Sequence, residues 1–430
     1  MADLFDEKEK TQPFDSYEEY MEYLFACVNE GMNRYLTDLK RVYATGEGGY
    51  KNVLYPDLEI VHDLCVEKLE QFQDSRWRKE NDRAESIPEE ETQESSPDQE
   101  DDTSDWDELF SAFAAEAGGS EDETGAGEVA SQYSPEEMID YINARAALAG
   151  EAGVSLPFYE ICRKLNYENF TIFCLACGIL SSTQTDYAGV FQVINENGSL
   201  SAPTIESAAK LYYGSRFSIT GAYGDMSVCL EQLMPILNLR VQGNMPFSTV
   251  VSPDKRMIDY LFGKNPMRLD EDYSRFFQML TDDGELDPIL ANEGVLEAMK
   301  ISYEEGVKIF SYYGDEGSGR KFFVKHFCRE QGMRAVSINC KKLFVYDFSF
   351  VDKALWAVTR ECILTNACCC LDDLSYREEE KEKFFGYMDL AFSKLTAHGM
   401  MVFAISKEKL PVKEMTKEEV TELELPTPSN

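Results

Sequence analysis

Apolar positions recur at helical spacing from the start of the chain. Tyr17, Met21, Leu24, Val28, Met32, Tyr35, Leu39 and Val42 fall three or four residues apart, with Asp15 or Ser16 as the N-cap. Glu47-Gly48-Gly49 breaks this run, and Leu58, Val61, Leu64, Cys65, Leu69 and Phe72 line a second helix. The pattern predicts an antiparallel helical hairpin over 1–84. Ser134-Pro135-Glu136-Glu137 is a helix start, with a capping serine, proline in the first turn and glutamate three residues after the cap. Helices are expected to follow over 157–165, 168–180, 203–213 and 225–237. Strand-like pieces at 239–241 and 248–251 complete the picture of a winged-helix-like domain over 134–265. Beyond residue 300 the period changes. Short apolar runs at 307–313, 335–339, 367–371, 400–405 and 420–425 alternate with helical stretches at 351–365 and 384–395. That alternation predicts a parallel sheet covered by helices. The expected fold class is therefore mainly α plus α/β.

Charge is distributed unevenly. The 430 residues contain 41 Lys and Arg against 79 Asp and Glu, a formal net charge of −38. This balance argues against a nucleic-acid partner, because phosphate recognition needs cationic surface, and against docking on anionic lipid. Between 84 and 144 there are 20 acids and no base, more than half of the net charge. The segment 85–133 is expected to be a disordered acidic linker. Within it Trp106, Leu109, Phe110 and Phe113 lie on one face of a short helix, either folded back on its own domain or presented to a partner. The longest apolar stretch, 170–180, is too short to span a bilayer, and the acidic N-terminus has no signal-peptide character. Twelve cysteines without a secretion signal read as reduced thiols, and the expected location is the cytoplasm. Cys174 and Cys177 sit in an apolar helix with no second pair nearby, so they read as buried side chains rather than metal ligands. Cys368, Cys369 and Cys370 lie in a strand, where successive side chains point to opposite faces. His62 reads as a structural histidine at a helix face.

Chemistry is concentrated after residue 300. The run 307–313 ends in Gly314-Asp315-Glu316-Gly317-Ser318-Gly319-Arg320-Lys321, and Phe322, Phe323, Val324, Phe327 and Cys328 begin a helix. Strand, glycine loop and helix N-terminus together form a phosphate-binding layout. Measured against G-x-x-x-x-G-K-[ST], Gly314 and Gly319 keep the frame. Arg320 stands at the lysine position and Lys321 at the Ser/Thr position. The strand 367–371 runs into Asp372-Asp373, the Walker B form, in which the first acid holds Mg²⁺ and the second polarises water.

Taken together, the chain resembles the bacterial AAA+ ATPases that carry an N-terminal winged-helix-like domain, some of them encoded beside contractile injection systems. The resemblance runs through Asn33-Arg34-Tyr35-Leu36, the helix at 165–179, Ala202-Pro203-Thr204-Ile205, the segment 257–263 and Gly317-Ser318-Gly319-Arg320. It implies a P-loop core over 270–430 that ends before the helical lid, and a degenerate first ATPase module. The implied cofactor is ATP or ADP with Mg²⁺, held weakly or not at all. The implied nucleotide contacts are Gly314, Gly317, Ser318, Gly319, Arg320 and Lys321. Asp372 would face the metal, with Asp373 beside it as the second Walker B acid. Implied partners are proteins, either AAA+ ring subunits or an injection-system assembly.

This sequence departs from that pattern at several points. Lys321 cannot ligate Mg²⁺, and Arg320 has a wide planar fork in place of a compact ammonium. Asp373 is one methylene shorter than the usual Glu. The stretch 405–408 lacks a polar asparagine, and no arginine follows Arg377, which leaves no arginine finger. The expectation is a pseudo-ATPase acting in protein assembly. The alternative is a hydrolysing ATPase completed by a downstream module.

Overall fold

The computed structural model describes residues 9–45, 55–85, 133–237, 239, 245–263, 268–281, 284, 286–289 and 292–427. The glycine break at 47–49, the aromatic island at 106–113, most of the acidic linker and most of the piece at 239–241 lie outside them.

The hairpin forms as its spacing dictates. Helix α1 (Tyr17–Thr45) starts at Ser16, whose Oγ accepts from the Glu19 amide at 3.2 Å. Helix α2 (Tyr55–Glu85) runs back along it, so that Thr37 meets His62 near one end and Glu22 meets Lys79 near the other. The stripe Met21, Leu24, Val28, Met32 and Leu36 is buried. It is buried not only by α2 but also by the helices after residue 133. These are α3 (Pro135–Glu151), α4 (Pro157–Lys164), α5 (Asn169–Thr183), α6 (Tyr187–Ile194), α7 (Ile205–Tyr213), α8 (Ile219–Leu233) and α9 (Lys255–Phe262). The capping box expected at Ser134 and Glu137 is present on α3. Helix α5 is the centre of this layer: every residue from Phe170 to Leu180 is buried.

Three features differ from expectation. Helix α8 begins six residues earlier than its apolar pattern suggests, because Ser218 caps it by accepting from the Gly221 amide. Helix α6 fills a stretch for which no element was expected. The expected strand at 248–251 is instead a 3₁₀ turn, Pro246–Ser248, followed by a single antiparallel bridge between Thr204 and Val250. There the backbone bonds to the approach to α7, from Val251 N to Pro203 O (2.8 Å) and from Ile205 N to Thr249 O (3.2 Å). Among the described residues of this region there is therefore no β-hairpin wing.

The C-terminal part contains a six-stranded sheet. Its strands are β1 (Phe277–Met279), β2 (Ile309–Tyr313), β3 (Arg334–Asn339), β4 (Ala367–Leu374), β5 (Val402–Ser406) and β6 (Val420–Glu424), in the order β1-β3-β4-β5-β2-β6. All neighbours are parallel except β1, which pairs antiparallel with β3. Helices α10 (Glu293–Glu304) and α11 (Arg320–Glu330) cover one face. The other face is covered by the short α12 (Cys340–Leu343), by α13 (Phe348–Thr365) and by α14 (Lys381–Ala397). The alternation predicted for the three cysteines of β4 holds. Cys368 and Cys370 belong to the α11 side, and Cys369 with Leu371 to the α13 side. The protein is thus mainly α with an α/β sheet, and none of the described helices is long and apolar enough to cross a membrane.

Candidate functional site

The glycine loop leaves the C-terminal end of β2, a strand flanked by β5 and β6. The acidic end of β4 lies one strand further out, beyond β5. Parallel strands place all these ends on one edge of the sheet, where α/β folds position their ligand groups.

Within the loop, Gly317 (φ 90°) and Gly319 (φ 82°) adopt the left-handed region that glycine enters without steric cost, and Gly319 caps α11. Gly314 is required for a different reason. Its α-carbon lies against the Leu425 carbonyl just past β6, so any β-carbon would overlap that oxygen. Its amide donates to the Lys407 carbonyl at 3.1 Å. Ser318 is 2% exposed, and its buried Oγ has no hydrogen-bond partner among the described residues. That hydroxyl points back towards Gly314, 3.0 Å from where a β-carbon there would stand.

The two cations that close the motif do not face a common point. The Arg320 guanidinium donates to the carbonyl of Ser406, at the end of β5. The Lys321 ammonium forms an ion pair with the Asp372 carboxylate, at the end of β4. Asp372 is held in register opposite Asn339 of β3. The Cys340 thiol lies close by, and burial, with the Asp372 charge adding to it, pushes its pKa well above the ordinary thiol value.

β4 does not stop at 371 but runs to Leu374. Its pairing with β5 slips between Leu371 and Leu374, which leaves Asp372 and Asp373 in an irregular stretch. Asp373 there takes φ 56°, is exposed, and makes no ion pair with the loop among the described residues. The structure therefore brings Gly314, Gly317, Ser318, Gly319, Lys321 and Asp372 together. It turns Arg320 towards β5 and leaves Asp373 outside.

Two further loop residues matter. Asp315 and Glu316 are exposed, so the loop presents two carboxylates to solvent beside its glycines. Both were visible in the sequence as acids inside a glycine loop.

The donor set does not fit Mg²⁺. Position 321 offers an ammonium instead of a hydroxyl, and that ammonium already neutralises Asp372. Among the described residues no group of three or more His, Cys, Asp or Glu is placed to hold a metal ion. The other sequence candidates lie in the helical layer. His62 Nδ1 faces the Lys40 ammonium at 3.1 Å, while Nε2 meets Thr37 Oγ1 at 3.0 Å. An ammonium can only donate, so Nδ1 is the acceptor and Nε2 carries the proton, which rules out a base acting on Thr37. Cys174 and Cys177 are fully buried in α5.

No protein-family model matches the chain, and no curated protein shows a significant match to it.

Proposed function

We propose that this chain is an AAA+-like module that has given up hydrolysis and serves protein assembly. The observation that carries the reading is the Lys321–Asp372 ion pair. An ATPase site needs that carboxylate free for metal and an uncommitted cation facing the β- and γ-phosphates. Here one cation is spent on the carboxylate and the other on the Ser406 carbonyl. The strand order supports the choice of class. A glycine loop after one apolar strand and an acid pair ending another are what the resemblance implies, and the parallel sheet sets both on one edge, with β5 between β2 and β4.

In this reading the sheet is a rigid platform in the cytoplasm. Its partners are proteins, either related ring subunits or an injection-system assembly, with no nucleic acid and no membrane. The hydrolysing alternative has no observation in its favour at this site, since Lys321, Asp373 and the loop carboxylates each oppose it.

The test is phosphate release by the purified chain in Mg-ATP, run beside sedimentation with and without nucleotide. The expected outcome is no turnover and an assembly state indifferent to ATP. Turnover that disappears in Asp372→Ala would sink the proposal.

A further inference from the structure

In P-loop sites a bound nucleotide and its metal organise the loop. In this chain the loop is organised by its own neighbours. The Gly314 amide donates to Lys407, Arg320 to the Ser406 carbonyl, and Lys321 pairs with Asp372. Behind Gly314 sits the Leu425 carbonyl, itself fixed by the bond from Leu425 N to Tyr313 O at 2.8 Å. These ties reach the ends of β4, β5 and β6, the three strands around the mouth of the site. Two of them come from the side chains at positions 320 and 321, which in a working site serve phosphate and metal.

Resting on the reading of a non-hydrolysing site, we propose that Arg320 and Lys321 act as internal ligands. They lock the loop and the first turn of α11 in one conformation that neither nucleotide nor metal alters. Both side chains are part of the covalent chain, so the contacts form without any association step and remain at any nucleotide concentration. The sheet edge then keeps one shape through changes in cellular energy state, as a permanent docking platform requires.

Hydrogen–deuterium exchange on the full chain tests this. A peptide covering 314–325 is followed in EDTA, in millimolar Mg-ADP and in millimolar Mg-ATP, with a peptide from α5 as the folding control. The expected result for the natural chain is one slow exchange rate in all three conditions. Replacing Arg320→Met and Lys321→Met together removes both ties, and exchange in that peptide should rise about fivefold to tenfold while α5 stays protected. If the double variant loses α5 protection as well, Lys321→Met is compared with Lys321→Arg, which keeps the pair and must stay slow.

Fast exchange in the natural chain that slows on adding Mg-ATP overturns the proposal. So does an exchange rate that the substitutions leave unchanged. Failure here is separable from failure of the functional reading. ATP turnover sinks the latter, whereas an unlocked loop without turnover sinks only the lock.

Discussion

The Arg256 guanidinium and the Glu361 carboxylate meet in two parallel hydrogen bonds of 2.8 Å each, joining α9 to α13. Glu361 is fully buried and Arg256 nearly so. The preceding residue, Arg360, pairs with Asp254, the N-cap of α9, and with Asp270. Two successive residues of one sheet-covering helix thus hold the helical layer through ion pairs. A bidentate pair fixes orientation as well as distance, so these contacts set how the two parts of the molecule lie against each other.

Removing Glu361 takes the bidentate carboxylate partner from the buried Arg256 guanidinium. Glu361→Ala should lower stability by about 3–5 kcal/mol, measured by denaturant unfolding. Replacing both residues with apolar side chains of similar volume should cost far less. A double variant as unstable as the single one would show that the pair is not the source of the loss.

The same carboxyl gives a pH signature. Burial, the largest influence, raises the Glu361 pKa above 4.5, and the hydrogen bonds and charge of Arg256 oppose that rise. A carboxyl with a raised folded pKa binds its proton more tightly in the folded state than in the unfolded one. Its cost is therefore fully present above the folded pKa and is relieved as pH falls towards 4.5. The stability of the natural chain relative to Glu361→Gln should increase over that window. A difference that stays flat from neutral pH to 4.5 would contradict this.

Gly314→Ala drives a methyl group into the Leu425 carbonyl. We expect a loss of about 1–3 kcal/mol and faster exchange in β6. Gly317→Ala meets no neighbour within 4 Å, so only its left-handed backbone opposes it, and it should cost about 1 kcal/mol. Thermal unfolding of the two variants side by side checks the ranking.

Ser318 holds a buried hydroxyl with no hydrogen-bond partner among the described residues. Ser318→Ala should leave the melting temperature unchanged or raise it, by up to about 1 kcal/mol in stability. A clear loss would mean that the hydroxyl is bonded in solution.

All twelve cysteines are free and buried. A thiol reagent should find essentially no fast-reacting group in the native chain and all of them after unfolding. Rapid labelling of Cys174 or Cys177 in native protein would reopen the question of a thiol function in α5.

How much of this was legible beforehand varies with the kind of signal. Strands β2 to β6 announced themselves as apolar runs between helical stretches. The two-faced character of β4 followed from strand geometry alone. β1 has only three residues and its meaning comes from pairing with β3, so no local pattern could mark it. Helices α6 and α10 went unread as well, and the supposed strand at 248–251 was redirected by the approach to α7. At the site, the substituted residues at 320, 321 and 373 were plain in the sequence. The Lys321–Asp372 pair was not, since the partners lie on different elements and only the sheet brings them together. Sequence spacing located the residues of the site, but which of them neutralise one another is decided by tertiary packing.

The position of α1 carries a consequence for how the chain is made. Asn29 accepts from the Tyr187 hydroxyl at 2.8 Å, Glu19 holds Arg145 at 2.9 Å, and Gly31 lies against Phe173. The first long helix is therefore completed by residues that leave the ribosome more than a hundred positions later. Until α3 and α5 emerge, the stripe from Met21 to Leu36 lacks partners that bury it in the finished fold. Such late closure predicts slow, non-sequential folding of the helical layer and a nascent chain that relies on chaperones during synthesis.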